Sequence, residues 1–377
     1  MRIGFDGKRA VQNFTGLGNY SRYVADILCH FYPENDYVLY APKKRENKRM
    51  NLLTGQYRQL TLAYPATSFW KKLSSLWRVW GITSQLEKEG IELFHGLSNE
   101  LPLNIHKSRI KSIVTIHDLI FLRYPQYYQS IDRKIYTYKF RKACENDDKI
   151  IAISECTKRD IIRYFNIPDD KIEVVYQGCD VSFTHPVTEE KKEEVRKKYQ
   201  LPDHYILNVG SIEERKNILA AVQALPMLPQ HIHIVIVGRR TGYPEKVEQF
   251  IKDNGLGERV HIISNVPFND LPAFYQSAEI FVYPSRFEGF GIPIIEALYS
   301  GIPVVAATGS CLEEAGGPDS IYVNPDDITG LADAFKQIYS NSDKRKNMVE
   351  KGREFAKRFS EKQQSEEIIN IYKKLIR

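Results

Sequence analysis

The chain has 377 residues, 27% charged and 42% hydrophobic, with 53 Lys+Arg against 47 Asp+Glu and a net charge of +6. That length predicts two domains, and ordinary apolar content with aperiodic Gly and Pro excludes a disordered or fibrous chain. The charge is local: between Lys43 and Trp80 nine basic residues accompany one acid, Glu46, so this segment carries +8 and the other 339 residues sum to −2.

In chain order, Met1-Arg2-Ile3-Gly4-Phe5-Asp6 reads as a first β-strand and not a signal peptide, because its apolar run is short and Asp6 interrupts it. Further strands are expected at Tyr37–Tyr40, Leu93–His95, Ser112–Ile116, Lys149–Ile153 and Glu173–Val175, with helices such as Asn19–Tyr32 and Thr157–Phe165 between them. A second series follows at Tyr205–Val209, His233–Val237, Val260–Ile263, Ile280–Tyr283 and Pro303–Ala306. Several of these runs are almost wholly apolar, as parallel strands covered on both faces are. Alternation of β and α implies doubly wound α/β sheets, and eleven strands imply two Rossmann-like domains. The boundary falls in the polar stretch Cys179–Leu201, which contains a charged helix, Glu189–Tyr199. The expected division is 1–180 and 181–359, with an amphipathic helix over 360–377 packing back on the first domain. Its apolar Ile368, Ile369, Tyr372 and Leu375 lie at helical spacing and Ser360 is its candidate cap. No stretch approaches the ~18 apolar residues of a spanning helix. Five widely spaced cysteines without a Cys-x-x-Cys argue against a disulfide framework and fit a reducing cytoplasm.

The segment richest in chemistry is Ser285-Arg286-Phe287-Glu288-Gly289-Phe290-Gly291-Ile292-Pro293-Ile294-Ile295-Glu296-Ala297-Leu298. A strand runs into a loop with two glycines, Pro293 suits the first turn of a helix, and Gly301 suits its end. Ligands of open α/β sheets bind where loops leave the carboxyl ends of strands, near helix N-termini. Glu288 and Glu296 supply carboxylates, which accept paired hydrogen bonds from the vicinal hydroxyls of hexoses and ribose. The competing reading is a tight strand–helix turn with solvated glutamates.

Glu288 and Glu296, with seven residues between them, resemble the signature of retaining glycosyltransferases of family 4. Gly210-Ser211-Ile212-Glu213-Glu214-Arg215-Lys216-Asn217 is similar to that family's Gly-x-x-x-x-Arg-Lys-Asn loop, and Thr15-Gly16-Leu17-Gly18-Asn19-Tyr20 to its N-terminal Gly-rich loop. With His117-Asp118 and Ser154 the resemblance spans nearly the whole chain. It implies a GT-B fold, two Rossmann-like domains facing across a cleft, with the nucleotide-sugar donor on the second domain and the acceptor on the first. Arg215 and Lys216 would clamp the donor diphosphate, and a guanidinium fork beside an ammonium suits charge building on a leaving group. The resemblance places Glu288 and His117 at the transferred sugar and Glu296 at the ribose. Gly210, Asn217 and the backbone at Phe290, Gly291 and Ile292 complete the donor site, and Val266 borders the base. Gly16, Gly18 and Asp118 would approach the phosphates or the acceptor, whereas Ser154 reads equally as a helix N-cap. The Gly16–Gly18 string lacks the third glycine of a dinucleotide fingerprint, which weighs against a dehydrogenase.

No Asp-x-Asp occurs, so neither a metal nor another cofactor is expected, and the donor enters as substrate. The same resemblance, with Phe94-His95-Gly96, favours GDP-mannose as donor and a polysaccharide or lipid-linked saccharide as acceptor. Rival readings are a UDP-sugar-dependent transferase, another GT-B activity such as an epimerase or phosphorylase, and a non-catalytic nucleotide-sugar-binding scaffold. All three tryptophans, Trp70, Trp77 and Trp80, lie in the +8 segment. At 100° per residue they share one helical arc with Phe69, Leu73 and Leu76, opposite Lys71, Lys72 and Arg78. That pattern predicts a helix over 69–80 lying on an anionic membrane surface, hence a peripheral protein on the inner face of the plasma membrane. The alternative is a helix packing its Trp face on the N-terminal sheet. No nucleic-acid motif accompanies the charge.

Overall fold

Among the described residues every strand is paired in parallel, and the strands fall into two sheets. The computed structural model describes residues 1–240 and 244–376. The chain divides into two compact units, Met1–Gln177 with Glu361–Arg377, and Gly178–Ser360. The first holds β1 (Arg2–Asp6), β2 (Asp36–Tyr40), β3 (Leu60–Ala63), β4 (Leu93–Gly96), β5 (Lys111–Ile116), β6 (Lys149–Ala152) and β7 (Ile172–Val174), in the order β3-β2-β1-β4-β5-β6-β7. The second holds β8 (Tyr205–Val209), β9 (His233–Val237), β10 (Val260–Ile263), β11 (Ile280–Tyr283), β12 (Val304–Ala307) and β13 (Ile321–Val323), in the order β10-β9-β8-β11-β12-β13. Among the described residues there are therefore thirteen strands, not eleven. The two extra ones, β3 and β13, are short edge strands, Leu-Thr-Leu-Ala and Ile-Tyr-Val, in which only Leu60 is buried.

This order fixes where ligands belong. In each unit the strand order reverses at one place, between β1 and β4 and between β8 and β11, and the loops leaving those carboxyl ends diverge to open a crevice. Apolar residues on both faces of the strands hold each sheet between helices: Ile206, Ile234, Ile236, Val282 and Val305 form the second core with Ala221, Val222 and Phe335. The terminal helix Glu361–Ile376 buries Ile368, Ile369, Ile371 and Tyr372 against Ile3, Phe5, Val24 and Leu28 of the first unit. Arg377, the last residue of the expected helix, lies outside the described residues.

Two local expectations are corrected. Gly16 and Gly18 do not sit in an open loop; they begin the helix Gly16–Phe31. At Gly18 a Cβ would stand 2.0 Å from the Asn13 carbonyl oxygen, so the glycine there serves close backbone packing, whereas a Cβ at Gly16 meets nothing within 4 Å.

The tryptophan segment is not one amphipathic helix. It runs as Ser68–Lys72 and Ser74–Leu76, broken at Leu73 (φ −105°, ψ 41°), then a π-turn over Trp77–Gly81, then Ile82–Lys88. The π-turn carries an extra residue per turn, so a wheel at 100° fails across it. Trp77 turns inward, fully buried with Tyr40, Leu86 and Phe94, and its indole N–H donates to Gln85 Oε1 at 3.1 Å. Arg78 is no lipid-facing cation. It forks onto Asp6, with Nε 3.1 Å from Oδ1, and onto Glu100, with NH1 2.5 Å from Oε2. Phe69, Leu73, Leu76 and Trp80 remain exposed.

Candidate active site

The second unit's switch point carries the Arg–Lys and Glu-rich loops together. β8 ends at Val209, Gly210 follows, and the chain turns through Glu214–Lys216 into the helix Ile218–Ala224. β11 ends at Tyr283 and passes through Ser285–Gly291 into the helix Ile292–Ser300. The loops are stitched by the Arg286 N–H donating to Arg215 O at 2.9 Å and by the Asn217 amide donating to Pro284 O at 3.2 Å and Pro325 O at 2.8 Å. Asn217 is buried and its amide hydrogens meet these two carbonyls, so its visible work is to hold the loops in place.

Glu288 is the hub. Its Oε2 lies 2.8 Å from Arg215 NH1 and its Oε1 lies 2.7 Å from Lys216 Nζ and 2.6 Å from Ser285 Oγ. Arg215 NH2 also pairs with Glu213 at 2.7 Å, its NH1 donates to the Phe287 carbonyl, and Lys216 donates to Tyr283 OH at 2.6 Å. Burial alone would raise the Glu288 carboxyl, but Lys216 and Arg215 outweigh it and hold it at about 2. The reciprocal pull keeps both cations charged despite their burial. The chain thus presents a fixed guanidinium and ammonium, preorganised by a carboxylate that meets both.

Around this hub the backbone is shaped for close approach. Gly291 adopts φ 143°, and a Cβ there would meet Ala315 and Leu312 at 3.2 Å, so only glycine suits the bend that starts the helix. Pro293 sits in that helix's first turn and Gly301 ends it in the left-handed region, as the sequence pattern requires. Phe290 is buried, its ring edge-on to Phe359 at 5.6 Å, and the Cys311 thiol reaches the carbonyls of Phe290 at 2.7 Å and Glu288 at 3.0 Å. Glu296 stands apart from the hub, one to two turns along the helix, where its Oε2 accepts from Tyr275 OH at 2.7 Å. Burial raises its carboxyl to about 7 against the pull of that hydrogen bond. Val266 follows β10 at the same carboxyl edge of the sheet and is half-buried.

In the first unit, His117 follows β5 and is buried. Its Nε2 is 2.9 Å from the Leu97 carbonyl, an acceptor only, so the proton sits on Nε2 and Nδ1 accepts from the Gln177 amide at 3.2 Å. Burial lowers its pKa to about 4, so the ring is neutral at pH 7. The backbone N–H of His117 donates to Asn99 Oδ1 at 2.7 Å, and Tyr20 meets the ring edge-on at 4.6 Å. Asp118 accepts from the Ile120 N–H at 3.1 Å, and Ser154 is the N-cap of Glu155–Phe165, accepting from Thr157 N–H.

Sequence reasoning missed Tyr283, Ser285, Tyr275, Cys311, Gln177 and Asn99. Tyr283 and Ser285 adjoin the motif, and their alternation toward the strand's end was the available signal; Gln177 and Cys311 arrive from distant positions and gave none. Among the described residues no group of three or more His, Cys, Asp or Glu converges to hold a metal ion, and no helix is long and apolar enough to cross a membrane.

The family model "Glycosyl transferases group 1" matches residues 189–355 and "Glycosyltransferase Family 4" matches residues 21–183. O-antigen chain mannosyltransferase B of Escherichia coli is 30% identical over 289 residues, 75% of this chain and 74% of that protein. O-antigen chain mannosyltransferase RfbU of Salmonella typhimurium is 29% identical over 225 residues, 60% of each chain. Among solved structures, Anabaena HepE in complex with UDP and glucose superposes with a TM-score of 0.77 at 17% identity, covering 100% of both chains.

Proposed function

Because the chain belongs to glycosyltransferase family 4 and is a glycosyltransferase of the GT-B fold, we propose that it moves mannose from GDP-mannose to a growing polysaccharide or lipid-linked saccharide with retention of anomeric configuration. The observation that carries this is the Arg215–Lys216–Glu288 hub at a sheet's switch point. Two fixed cations beside a helix N-terminus suit a diphosphate leaving group, and a carboxylate beside them suits the hydroxyls of the sugar it leaves. The O-antigen mannosyltransferases of E. coli and Salmonella support the choice of sugar and of a polysaccharide acceptor.

In this reading Arg215 and Lys216 neutralise the charge that builds as the anomeric C–O bond to phosphate breaks. The acceptor oxygen bonds the same face of the anomeric carbon, and its proton passes to the departing phosphate oxygen. Glu288 orients the sugar hydroxyls and Glu296 accepts from the ribose. His117 is neutral and held at both ring nitrogens, Nε2–H by the Leu97 carbonyl and Nδ1 by the Gln177 amide, so in this reading it moves no proton. The Arg–Lys pair supplies the neutralisation without a metal, so activity persists in chelator. Within the 69–80 stretch, the cationic Lys71 and Lys72 beside exposed Phe69, Leu73 and Trp80 are the part that would meet an anionic membrane.

Release of free nucleotide tests this. It should appear from GDP-mannose only when acceptor is supplied, and Glu288→Ala should abolish it in a folded protein. Equal or faster turnover with UDP-sugars would reassign the donor; wild-type turnover by the variant would remove the site.

A further inference from the structure

The first unit contains a cavity that the donor chemistry leaves unused. It measures about 320 Å³, and its apolar walls are Val79, Leu101, Leu103, Ile135 and Tyr138. Three separate stretches build it: the π-turn after Trp77, the loop leaving β4, and the helix Ser130–Asn146. The π-turn and the β4 loop are locked together by the Leu103 N–H donating to Val79 O at 2.9 Å and the Asn104 amide to Trp80 O at 3.1 Å.

Its position and its charge both point to a ligand. The loop after β4 and the Asp6 end of β1 flank the first sheet's switch point, so the cavity adjoins the crevice where an open α/β sheet binds small molecules. One wall is polar and already balanced. Arg78 bridges Asp6 and Glu100, and Lys139 stands 3.6 Å from Glu100. Among the residues that line the cavity, Lys134, exposed at the rim, and Lys139 outnumber Glu100, so its charged groups carry more cations than anions. The opposite side is an exposed apolar stripe. Ile131, Ile135 and Tyr138 recur at helical spacing, 64%, 44% and 56% exposed, and Trp80 next to Val79 is 49% exposed. A soluble helix ordinarily turns such a stripe inward.

We propose that this cavity holds the aliphatic chain of an amphiphilic, phosphate-headed acceptor, with the chain between Val79, Leu103 and Ile135 and the anionic head toward Lys134 and Lys139. An apolar slot with surplus cations at one end is complementary to an acyl or isoprenoid phosphate and to neither a plain sugar nor a flat protein surface. The assignment deepens the reading of a lipid-linked acceptor and rests on it for the transfer step, but the binding itself needs no donor.

The test uses the full chain without nucleotide, titrated with a series of n-alkyl phosphates below their micelle concentrations and followed by tryptophan emission. Affinity should rise about fourfold with each added methylene and then level off once the slot is full. Ile135→Asp, at an exposed position that tolerates charge, should weaken long-chain binding at least tenfold and leave methyl phosphate unchanged. Leu52→Asp, at an exposed position on the helix Lys48–Gln56 away from the slot, should bind as wild type. Affinity that climbs without levelling, or an Ile135→Asp variant that binds normally, would overturn the slot. So would loss of binding to phosphatidylglycerol vesicles without saturable alkyl phosphate binding, which would mark a membrane-facing surface only. Because no transfer is measured, tail binding and sugar transfer fail independently.

Discussion

Glu288→Gln separates the two tasks of the hub. In the ligand-free chain Glu288 occupies the same N–H groups of Arg215 and Lys216 that a diphosphate needs. Its carboxyl lies at about 2 against an ordinary 4.5, a difference equivalent to about 3 kcal/mol in favour of the charged, paired form. A depressed acid contributes its stability above its unfolded pKa and loses it as the pH falls toward the folded value, so at pH 7 the contribution is complete. Removing the charge leaves buried Lys216 without its anion and Arg215 with Glu213 alone, and destabilises the free protein, by about 2–4 °C in Tm per kcal/mol for a unit of this size. A nucleoside diphosphate replaces the lost charge, so the same free energy reappears as affinity. Up to about 3 kcal/mol corresponds to as much as ~150-fold tighter binding, and part of it is retained if the carboxylate only shifts aside. The expected outcome is therefore a lower Tm without ligand, GDP or UDP bound at least tenfold more tightly in calorimetric titration, and transfer at least a hundredfold slower. Glu213→Gln is the control, because Glu213 pairs with Arg215 alone and its side chain is 37% exposed; it should change affinity less than threefold. Diphosphate affinity unchanged in Glu288→Gln, or equal gains in both variants, would refute the competition.

Three further outcomes follow from the same geometry. In the proposed donor site Glu296 accepts the ribose hydroxyls, and burial raises its carboxyl to about 7, so nucleotide affinity should tighten as pH rises from 6 to 8; pyrophosphate, lacking ribose, should not show this, and Glu296→Gln should flatten the profile in titrations across that range. Arg78→Met should cost about 3–5 kcal/mol in urea unfolding, because it strands Asp6 and leaves Glu100 to Lys139 alone in a buried setting; Lys71→Ala and Lys72→Ala should stay within about 0.5 kcal/mol. Gly18→Ala should lower Tm by several degrees because its Cβ collides with the Asn13 carbonyl, while Gly16→Ala should leave it unchanged or raised.

The parts of this fold that were legible are those in which one local signal decides. Covered parallel strands such as Ile280–Tyr283 are apolar without interruption, and the helix Ile292–Ser300 is bracketed by Pro293 and Gly301, so both could be read from neighbours in the chain. The short edge strand Leu60–Ala63 has no such signal, since it is a strand only because β2 offers it a partner. The 69–80 segment failed for a different reason. Its wheel was a sound local pattern, but Trp77 gains more by filling the space between Tyr40 and Phe94 than by facing outward, and Arg78 finds two carboxylates at the end of the sheet. Long-range burial and pairing overrode periodicity, and the π-turn is where the chain absorbs the conflict.

The same contrast runs through the site. Arg215 and Lys216 lie in one recognisable motif and Glu288 in another, yet that they form one ion-pair hub depends on β8 and β11 being neighbours, a fact of topology that no spacing between residues 215 and 288 encodes. Gln177 on His117 is the extreme case: an amide sixty positions away donates to Nδ1 while the Leu97 carbonyl holds Nε2–H, so the ring is fixed at both nitrogens. A motif therefore names the chemistry, while the switch point of a parallel sheet decides which motifs act together. That is why the cavity beside the first sheet's switch point carries meaning although no motif marks it. Its walls come from Val79, Leu103 and Ile135, residues ordinary in themselves, and its location at the edge where β1 and β4 diverge is what distinguishes it from a packing gap.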